Sequence, residues 1–462
     1  MHSYGEDLHL FRDRRFALLF AARTASVLGG AFAPVALAFG VLGLAGATPT
    51  TLSLVLVGQA VPQIVFMLAG GVLADRLPRY RVMIAGELLC AAAYLLLSVM
   101  LVTGRAPLPA LVAGAALSGV GVAVLFPAIL GIVPEVVSAD RLQTANGLLR
   151  MGTNTARLAG FTLGGTTVVL LGGGPALAFC GAFFALSGVF VAGLRPPRTG
   201  EVKVAHVVPD AGSTATAGSA AGSTATAVAG AGPGRSVVAE LRAGWREFVG
   251  RQWLWVMVVQ FAFTVATTQA VHGVLGPVLA QRELGGAGAW SAVLVGEAVG
   301  MLIGVAIVIR LRPRRPMLVA VSACLAAVPL YLLLGLSAPL WTVVLAGVVT
   351  GICVDIGNVL WETTLQREIR PELLSRISAY DALGSFMFGP IGLLLVGAAA
   401  TGFGPRPAML CCAGVVLLAA VGALCSPSVR HLRAPQQHDT AADGRRAGGD
   451  EAHRPASVVR PG

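Results

Sequence analysis

The sequence is poor in charged and aromatic residues. Charged side chains make up 12% of the 462 residues and aromatic side chains 6%, whereas 56% are hydrophobic. A soluble chain is about a quarter charged, so this one has too few charges to cover two or three soluble domains. The same composition excludes disorder, a coiled coil or a disulfide scaffold as the main architecture. The apolar residues suffice for about twelve membrane spans of about 20 residues each.

Lysine is almost absent, and cysteine shows no functional spacing. Lys203 is the only lysine among 33 basic residues, and the formal net charge is +11. The basic residues form short clusters between apolar runs, which argues against a nucleic-acid surface. The seven cysteines lie inside apolar runs without zinc or redox spacing. We therefore predict packing cysteines, and neither a metal site nor a nucleotide loop is readable, so we expect no cofactor and no enzyme activity.

The apolar runs predict an all-α polytopic membrane protein with twelve transmembrane helices in two six-helix pseudo-repeats. The spans must be helical, because lipid cannot satisfy free backbone groups and the pattern does not alternate every two residues. The predicted spans are 14–44, 50–74, 82–103, 107–133, 143–171 and 174–194, followed by 253–280, 288–310, 316–336, 339–364, 374–399 and 405–427.

The basic residues predict the orientation of these spans. Of the 33, 27 lie on the side of both termini, three lie on the other side and three lie within spans. Because basic loops stay cytoplasmic, we expect both termini inside a multi-pass protein of the plasma or inner membrane. The expected domains are an N-terminal six-helix bundle (1–194), a largely flexible cytoplasmic linker (195–250), a C-terminal six-helix bundle (251–427) and a disordered tail (428–462).

The loop between spans 2 and 3 carries a motif. It reads Gly71-Val-Leu-Ala-Asp75-Arg76-Leu-Pro-Arg79-Tyr-Arg81, which places an acid and a glycine beside three arginines at a helix end. Such a carboxylate can meet the positive end of a neighbouring helix. A plain positive-inside anchor explains the arginines but neither the acid nor the glycine. We therefore interpret the loop as a conformational gate.

This loop resembles the signature of the major facilitator superfamily. Further segments, namely Phe16–Gly29, Phe126–Ala128, Ala145–Gly147 and Trp361–Arg376, are similar to its transmembrane secretion effector branch, which includes enterobactin exporters and macrolide efflux pumps. The resemblance implies a proton-driven exporter that works by alternating access. It implies small amphipathic substrates such as antibiotics, siderophores or a self-made metabolite, with antibiotic resistance as one outcome. We also expect a monomer.

Span 5 has a glycine motif, Gly160-Phe-Thr-Leu-Gly164-Gly165, that resembles the antiporter motif with Phe161 in place of proline. Small residues at this spacing let helices approach closely. Two interpretations stay open, a close helix seam and a hinge or seal at the periplasmic side. Residues that relatives tie to proton coupling are missing, since Gly30 replaces an acid and span 4 lacks an arginine. The coupling site must therefore lie elsewhere.

Several charges lie within the predicted spans, and each is a functional candidate because burying a charge in lipid is costly. Arg157 and Glu297 both lie about 20 Å deep, and the resemblance implies that spans 5 and 8 face each other across the two halves. We therefore predict that Arg157 and Glu297 form a buried pair when one gate is shut. Asp355 is the competing proton carrier. Glu87, Glu362 and Asp381 lie nearer the cytoplasmic face, where interfacial pairing is the plainer interpretation. The substrate-cavity candidates are Arg23, Asn154, Gln269 and His272, although a lone histidine is more often a hydrogen-bonded helix residue.

The sequence thus predicts a secondary transporter that exchanges protons for a small molecule. The alternative is a proton-coupled symporter that imports a nutrient or siderophore. A membrane scaffold without transport is disfavoured, because the buried charges and the Asp75 loop would have no use. The identity of the substrate depends on the shape of the pocket and is not readable from the sequence.

Overall fold

A computed structural model describes residues 8–138, 141–194, 246, 248–308, 310–311, 313–369 and 371–432. The regular structure in these ranges is helical, which confirms the all-α prediction. Twelve long helices follow one another along the chain. They are α1 (Arg14–Leu42), α2 (Pro49–Arg76), α3 (Arg79–Thr103), α4 (Leu108–Val136), α5 (Leu142–Leu171), α6 (Gly173–Ala192), α7 (Gln252–Leu284), α8 (Ala287–Val308), α9 (Pro316–Gly335), α10 (Leu340–Glu368), α11 (Pro371–Gly402) and α12 (Pro405–Cys425).

Ten of the described helices are long and apolar enough to cross a membrane. The other two are α5, which carries Arg150, Asn154 and Arg157, and α11, whose segment Met387–Gly402 is apolar but shorter. The observed bounds follow the predicted spans within a few residues, except at two ends. Helix α7 continues to Leu284 and α10 to Glu368.

Proline and glycine delimit several helices. Pro107 and Pro339 directly precede α4 and α10, and proline is the first residue of α12. Proline suits these positions because its missing N–H has no helical partner there. At the other end of α3, Gly104 adopts a left-handed φ of 68°, which favours glycine. The bends between helices are therefore encoded locally.

We call the end of the bundle at which α1 begins and α12 ends the inner end, and the opposite end the outer end. The prediction above makes these the cytoplasmic and periplasmic ends. Helices alternate in direction, so α2 and α8 begin at the outer end, whereas α5 and α11 finish there.

Three apolar cores hold the bundle together. The outer core joins both halves at the outer end and includes Val35, Leu52, Trp290 and Leu393. The inner ends have separate cores. One lies in the N-terminal half and includes Phe16 and Ile132, and the other lies in the C-terminal half and includes Leu254, Met317 and Trp361. The halves therefore share apolar packing at the outer end and are packed separately at the inner end.

The second and fourth helices of each half pack through glycine. In the N-terminal half, a Cβ on Gly119 of α4 would overlap the carbonyl of Gln59 in α2. In the C-terminal half, a Cβ on Gly351 of α10 would overlap the carbonyl of Glu297 in α8. A Cβ on Gly300 of α8 would likewise overlap the carbonyl of Val348 in α10. Only a residue without a side chain permits such a close approach. The repeated seam fits two related six-helix halves.

The predicted linker lies almost entirely outside the described residues, apart from a helical piece at 246 and 248–250. Most of the predicted tail lies outside them as well. Its first residues differ from the prediction, because Pro427–His431 forms a short helix. Val429 of this helix is buried against the inner core of the C-terminal half, which explains why the segment is ordered.

Candidate functional site

Hydroxyl groups of α2 join the two halves at the outer end. The Thr50 hydroxyl donates to the carbonyl of Gly397 in α11 at 2.9 Å and lies 2.7 Å from the Thr401 hydroxyl. One turn further along α2, the buried Ser53 hydroxyl donates to the carbonyl of Leu393. These contacts involve no charged group. We refer to these contacts as the outer gate, and they are formed in this structure.

Helix α5 closes the same end against α8 through the predicted glycine motif. Gly165 faces the Ser291 side chain so closely that a Cβ on the glycine would overlap it. The other two glycines pack within the N-terminal half. A Cβ on Gly160 would lie 2.9 Å from the Leu28 carbonyl, and one on Gly164 would lie 3.2 Å from Cα of Phe32. Two glycines of the motif thus form a seam with α1, and the third packs against α8 of the other half.

A histidine and a glutamate meet in the middle of the C-terminal half. Nε2 of His272 in α7 lies 2.8 and 3.0 Å from the two carboxylate oxygens of Glu297 in α8. Nδ1 of the same ring lies 3.0 Å from the carbonyl oxygen of Thr268. The two side chains are 24% and 16% exposed, so water reaches the pair only in part. The Trp290 ring covers one side, with its centroid 6.0 Å from that of His272.

This geometry suits a proton shared between the ring and the carboxylate. A carbonyl oxygen only accepts, so Nδ1 donates its hydrogen to Thr268. Nε2 and the Glu297 oxygens would repel each other as lone pairs unless one of them carries a hydrogen. The contact is satisfied when the pair holds one shared proton, either as imidazolium with carboxylate or as imidazole with carboxylic acid. Either form binds one proton more than the separated base and anion.

The pair sits directly beside the outer gate. His272 lies in a π-helical turn of α7, Val271–Leu275, and such turns occur often at functional sites. In the same turn, a Cβ on Gly273 would lie 2.9 Å from Leu56 of α2 and 3.1 Å from Leu393 of α11. Leu393 also accepts the Ser53 hydrogen bond. A shift of this turn would therefore act on the α2–α11 contact.

The predicted pair between Arg157 and Glu297 does not form in this structure. Glu297 binds His272 of its own half, because the π-helical turn brings the imidazole ring to α8. Arg157 is exposed on α5, and no ion pair joins it to a described residue. Asp355 lies deeper than predicted, since α10 ends at Glu368. It sits about 20 Å from the inner end of its helix.

The cavity candidates occupy different surroundings. Arg23 interacts with Glu87 of α3, which is buried near Ser26 and Ser187 of α1 and α6. This pair lies inside the N-terminal half and away from α10 and α11. Asn154 is half-buried on α5. Gln269 is exposed and packs against α11, where a Cβ on Gly389 would lie 3.4 Å from its Cγ.

The predicted gate loop is described in part. The helix through Gly71, Asp75 and Arg76 is described, but those side chains lie outside the described residues. Arg79 donates to the carbonyl of Gly131 in α4 and lies 3.3 Å from the Glu135 carboxylate. Nε of Arg81 lies 3.0 Å from the neighbouring Tyr80 hydroxyl. The loop is thus tied to the inner end of α4.

Three features escaped the sequence reasoning. Thr50 and Ser53 of the outer gate are ordinary polar residues of an apolar helix and give no signal. The glycines of the α8–α10 seam do give one, because Gly296, Gly300 and Gly304 recur every fourth residue, as do Gly347 and Gly351. The pairing of His272 with Glu297 depends on a π-helical turn, which no spacing in the sequence reveals.

The twelve long helices among the described residues fall into two halves, which is the architecture of a polytopic membrane protein. The profile of the Major Facilitator Superfamily matches residues 16–380, which is most of the chain. The chain belongs to this superfamily. It therefore acts on a small molecule in a membrane, and its family points to a transporter rather than an enzyme.

Solved structures share the fold at low sequence identity. A mutant of the nucleoside transporter NupG has a TM-score of 0.69 at 12% identity and covers 89% of this chain and 99% of that chain. An autoinhibited POT-family peptide transporter has a TM-score of 0.64 at 14% identity, covering 96% and 99%. A bacterial homologue of the lysosomal transporter Spinster, inward-facing and occupied, has a TM-score of 0.63 at 14% identity, covering 92% and 99%.

One curated relative matches over a shorter stretch. The lysophospholipid transporter LplT of Photorhabdus laumondii is 40% identical over 115 residues. The match covers 23% of this chain and 27% of that protein. The chain thus spans about a quarter of the length of this relative in the match.

Proposed function

We propose that this protein exports small amphipathic molecules in exchange for protons by alternating access. The observation that carries the proposal is the close contact between His272 and Glu297 beside the outer gate. A buried acid–base pair at a gate links proton binding to the state of that gate. The pair belongs to the third and fourth turns from the outer ends of its helices, within reach of protons that enter from outside.

The proposed cycle follows from the geometry. With the outer gate open, a proton enters and bridges the ring and the carboxylate, which draws the turn around Gly273 toward α2 and α11. The outer gate then shuts, and the inner end opens to the cytoplasm. Proton loss leaves an unbridged imidazole and carboxylate, which separate. The turn around Gly273 then no longer draws toward α2 and α11, so the outer gate opens. Substrate that bound from the cytoplasm is released to the outside.

Two observations support an amphipathic substrate. The partial likeness to a lysophospholipid transporter points to a molecule with one polar and one apolar end. The resemblance of span 1 and of the segment after span 10 to secretion effectors points the same way and favours export. Antibiotics, siderophores and self-made metabolites of amphipathic character stay within this class.

The experiment uses inside-out membrane vesicles with an acidic lumen. Two probes are offered separately, a fluorescent lysophospholipid and ethidium, and a pH dye follows the lumen. An exporter accumulates at least one probe in the lumen, and the probe speeds proton exit. In a Glu297→Gln variant, the side chain can still hydrogen-bond to His272 but can no longer gain or lose a proton. We expect it to lose at least 90% of gradient-driven accumulation.

Matched variants separate coupling from folding. Glu283→Gln changes an acid at the outer end of the same α7–α8 hairpin, where Arg406 binds it at 2.8 Å, and should keep coupling. Asp355→Asn should leave the pH dependence of transport unchanged. A Glu297→Gln variant with unaltered pH dependence would remove the pair from coupling. Accumulation only in right-side-out vesicles with an acidic exterior would favour the symporter instead.

A further inference from the structure

Two arginines share the side of α5 that faces the centre of the bundle. Arg150 and Arg157 are seven residues apart, which is two helical turns, so they point the same way. Val168, three turns beyond Arg157 on this side, is buried in the outer core. Arg150 and Arg157 themselves are exposed. This side of α5 is therefore covered by protein at the outer end and open at the inner end.

Two acids occupy the corresponding side of α10 in the other half. Asp355 and Glu362 are also seven residues apart. Arg150 interacts electrostatically with both acids, so they face α5 across the space between the halves. Oδ2 of Asp355 is buried and has no hydrogen-bond partner among the described residues. Gly304 of α8 packs behind Asp355, since a Cβ on the glycine would lie 3.0 Å from the aspartate Cβ.

The two arginines of α5 and the two acids of α10 also lie at similar distances along their helices. Measured from Leu142, where α5 begins, Arg150 lies about 12 Å and Arg157 about 22 Å along the helix. Measured from Glu368, where α10 ends, Glu362 lies about 9 Å and Asp355 about 20 Å along its helix. Counted from the inner ends of their helices, the two arginines and the two acids thus have similar spacings.

We infer that these four residues form an ionic inner gate with two rungs, Arg150 with Glu362 and Arg157 with Asp355. The rungs close when the inner ends of α5 and α10 approach. Asp381 of α11 is a further acid of this half. It accepts a hydrogen bond from the Trp361 indole at 3.1 Å and is not part of either rung. While the inner end is open, the buried Oδ2 of Asp355 has no hydrogen-bond donor among the described residues. Arg157 would supply that donor when the deeper rung closes.

The two gates therefore differ in chemistry. Hydroxyl groups, carbonyl groups and a glycine hold the outer gate, whereas opposite charges hold the inner gate. Charge pairs attract over several ångströms, so they can draw together two surfaces that have no shared apolar core. This inference concerns the inner end alone and holds for export and import alike.

The test measures the inner-closed population by electron–electron distance spectroscopy in nanodiscs. Spin labels replace Arg14 of α1 and Arg314 after α8, both exposed at the inner end, in a background in which the exposed Cys411 and Cys425 are serine. Arg157→Glu should reduce the closed population at least tenfold. Combining Arg157→Glu with Asp355→Arg should restore it to within about threefold of wild type.

A mismatched pair is the control. Arg157→Glu combined with Glu362→Arg places a new cation at the wrong depth and should restore nothing. Equal restoration by both combinations, or no loss in Arg157→Glu, overturns the two-rung gate. If the reversals unfold the protein, Arg157→Gln and Asp355→Asn replace them. For a true rung the double variant loses no more than the stronger single variant, whereas effects that multiply contradict the pairing.

Discussion

Gly165→Ala should force the outer gate open. Gly165 is the one motif glycine that faces the other half, and its Cβ would overlap the Ser291 side chain. Both Cβ and Oγ of Ser291 lie within the overlap, so a rotation of the serine cannot relieve it. The outer ends of α5 and α8 must separate, and separation is what the outward-open state provides.

The size of the effect follows from the overlap. Adding a methyl group to a packed interface costs about 1–3 kcal/mol. The outward-open state avoids this cost because the halves part there. Since about 1.4 kcal/mol changes an equilibrium tenfold, the ratio of outer-open to outer-closed molecules should rise about 5- to 150-fold.

The assay labels two exposed residues of outer loops, Arg105 in the N-terminal half and Phe403 in the C-terminal half, and measures the distance distribution between them. Gly147→Ala on the same helix is the matched control, because a Cβ there has no atom within 4 Å. Ser291→Gly in the Gly165→Ala background should return the distribution to wild type. An unchanged distribution in Gly165→Ala, or a failed rescue, would refute the steric account.

Three further predictions concern topology, the linker and the gate loop. Reporter fusions after residues 200 and 440 should be active only with a cytoplasmic reporter, and periplasmic activity at either would overturn the orientation. Deletion of residues 211–232 should leave transport within a few fold, because a Gly/Ser/Thr/Ala tract makes few specific contacts; loss of transport at a normal protein level would contradict this. Asp75→Asn should reduce transport about two- to fivefold, the size of a charge at a helix end, without removing the protein from the membrane. Wild-type transport would leave the loop as an orientation signal.

The sequence predicted the helices well and their contacts poorly. Apolar runs locate spans because the bilayer demands about 20 apolar residues for each. The family resemblance likewise led to the correct superfamily. The errors at Leu284 and Glu368 occurred where helices continue with polar residues beyond the hydrocarbon, which hydropathy does not detect. Lengthening α10 moved Asp355 to mid-helix.

The pairing of buried charged residues was harder to predict from the sequence. Depth along a helix is readable, but the direction of a side chain around the helix depends on every turn before it. The π-helical turn Val271–Leu275 shifts this direction for His272 and turns the ring to Glu297. Equal depth and the facing of spans 5 and 8 implied by the family resemblance had suggested Arg157 as the partner of Glu297. The glycine repeat that sets the α8–α10 seam was present in the sequence and would have shown which side of α8 faces α10.

The central claim is that His272 and Glu297 share a proton when the outer gate shuts and lose it to the cytoplasm before that gate opens again. Nitrogen-15 spectra of histidine-labelled protein in nanodiscs test it directly, with the His272 signals assigned from a His272→Gln variant. In wild type, Nδ1 should be protonated and Nε2 should carry the shared hydrogen near neutral pH. In Gly165→Ala, Nε2 should appear unprotonated. An unprotonated Nε2 in wild type, or the same spectrum in both proteins, would contradict the account.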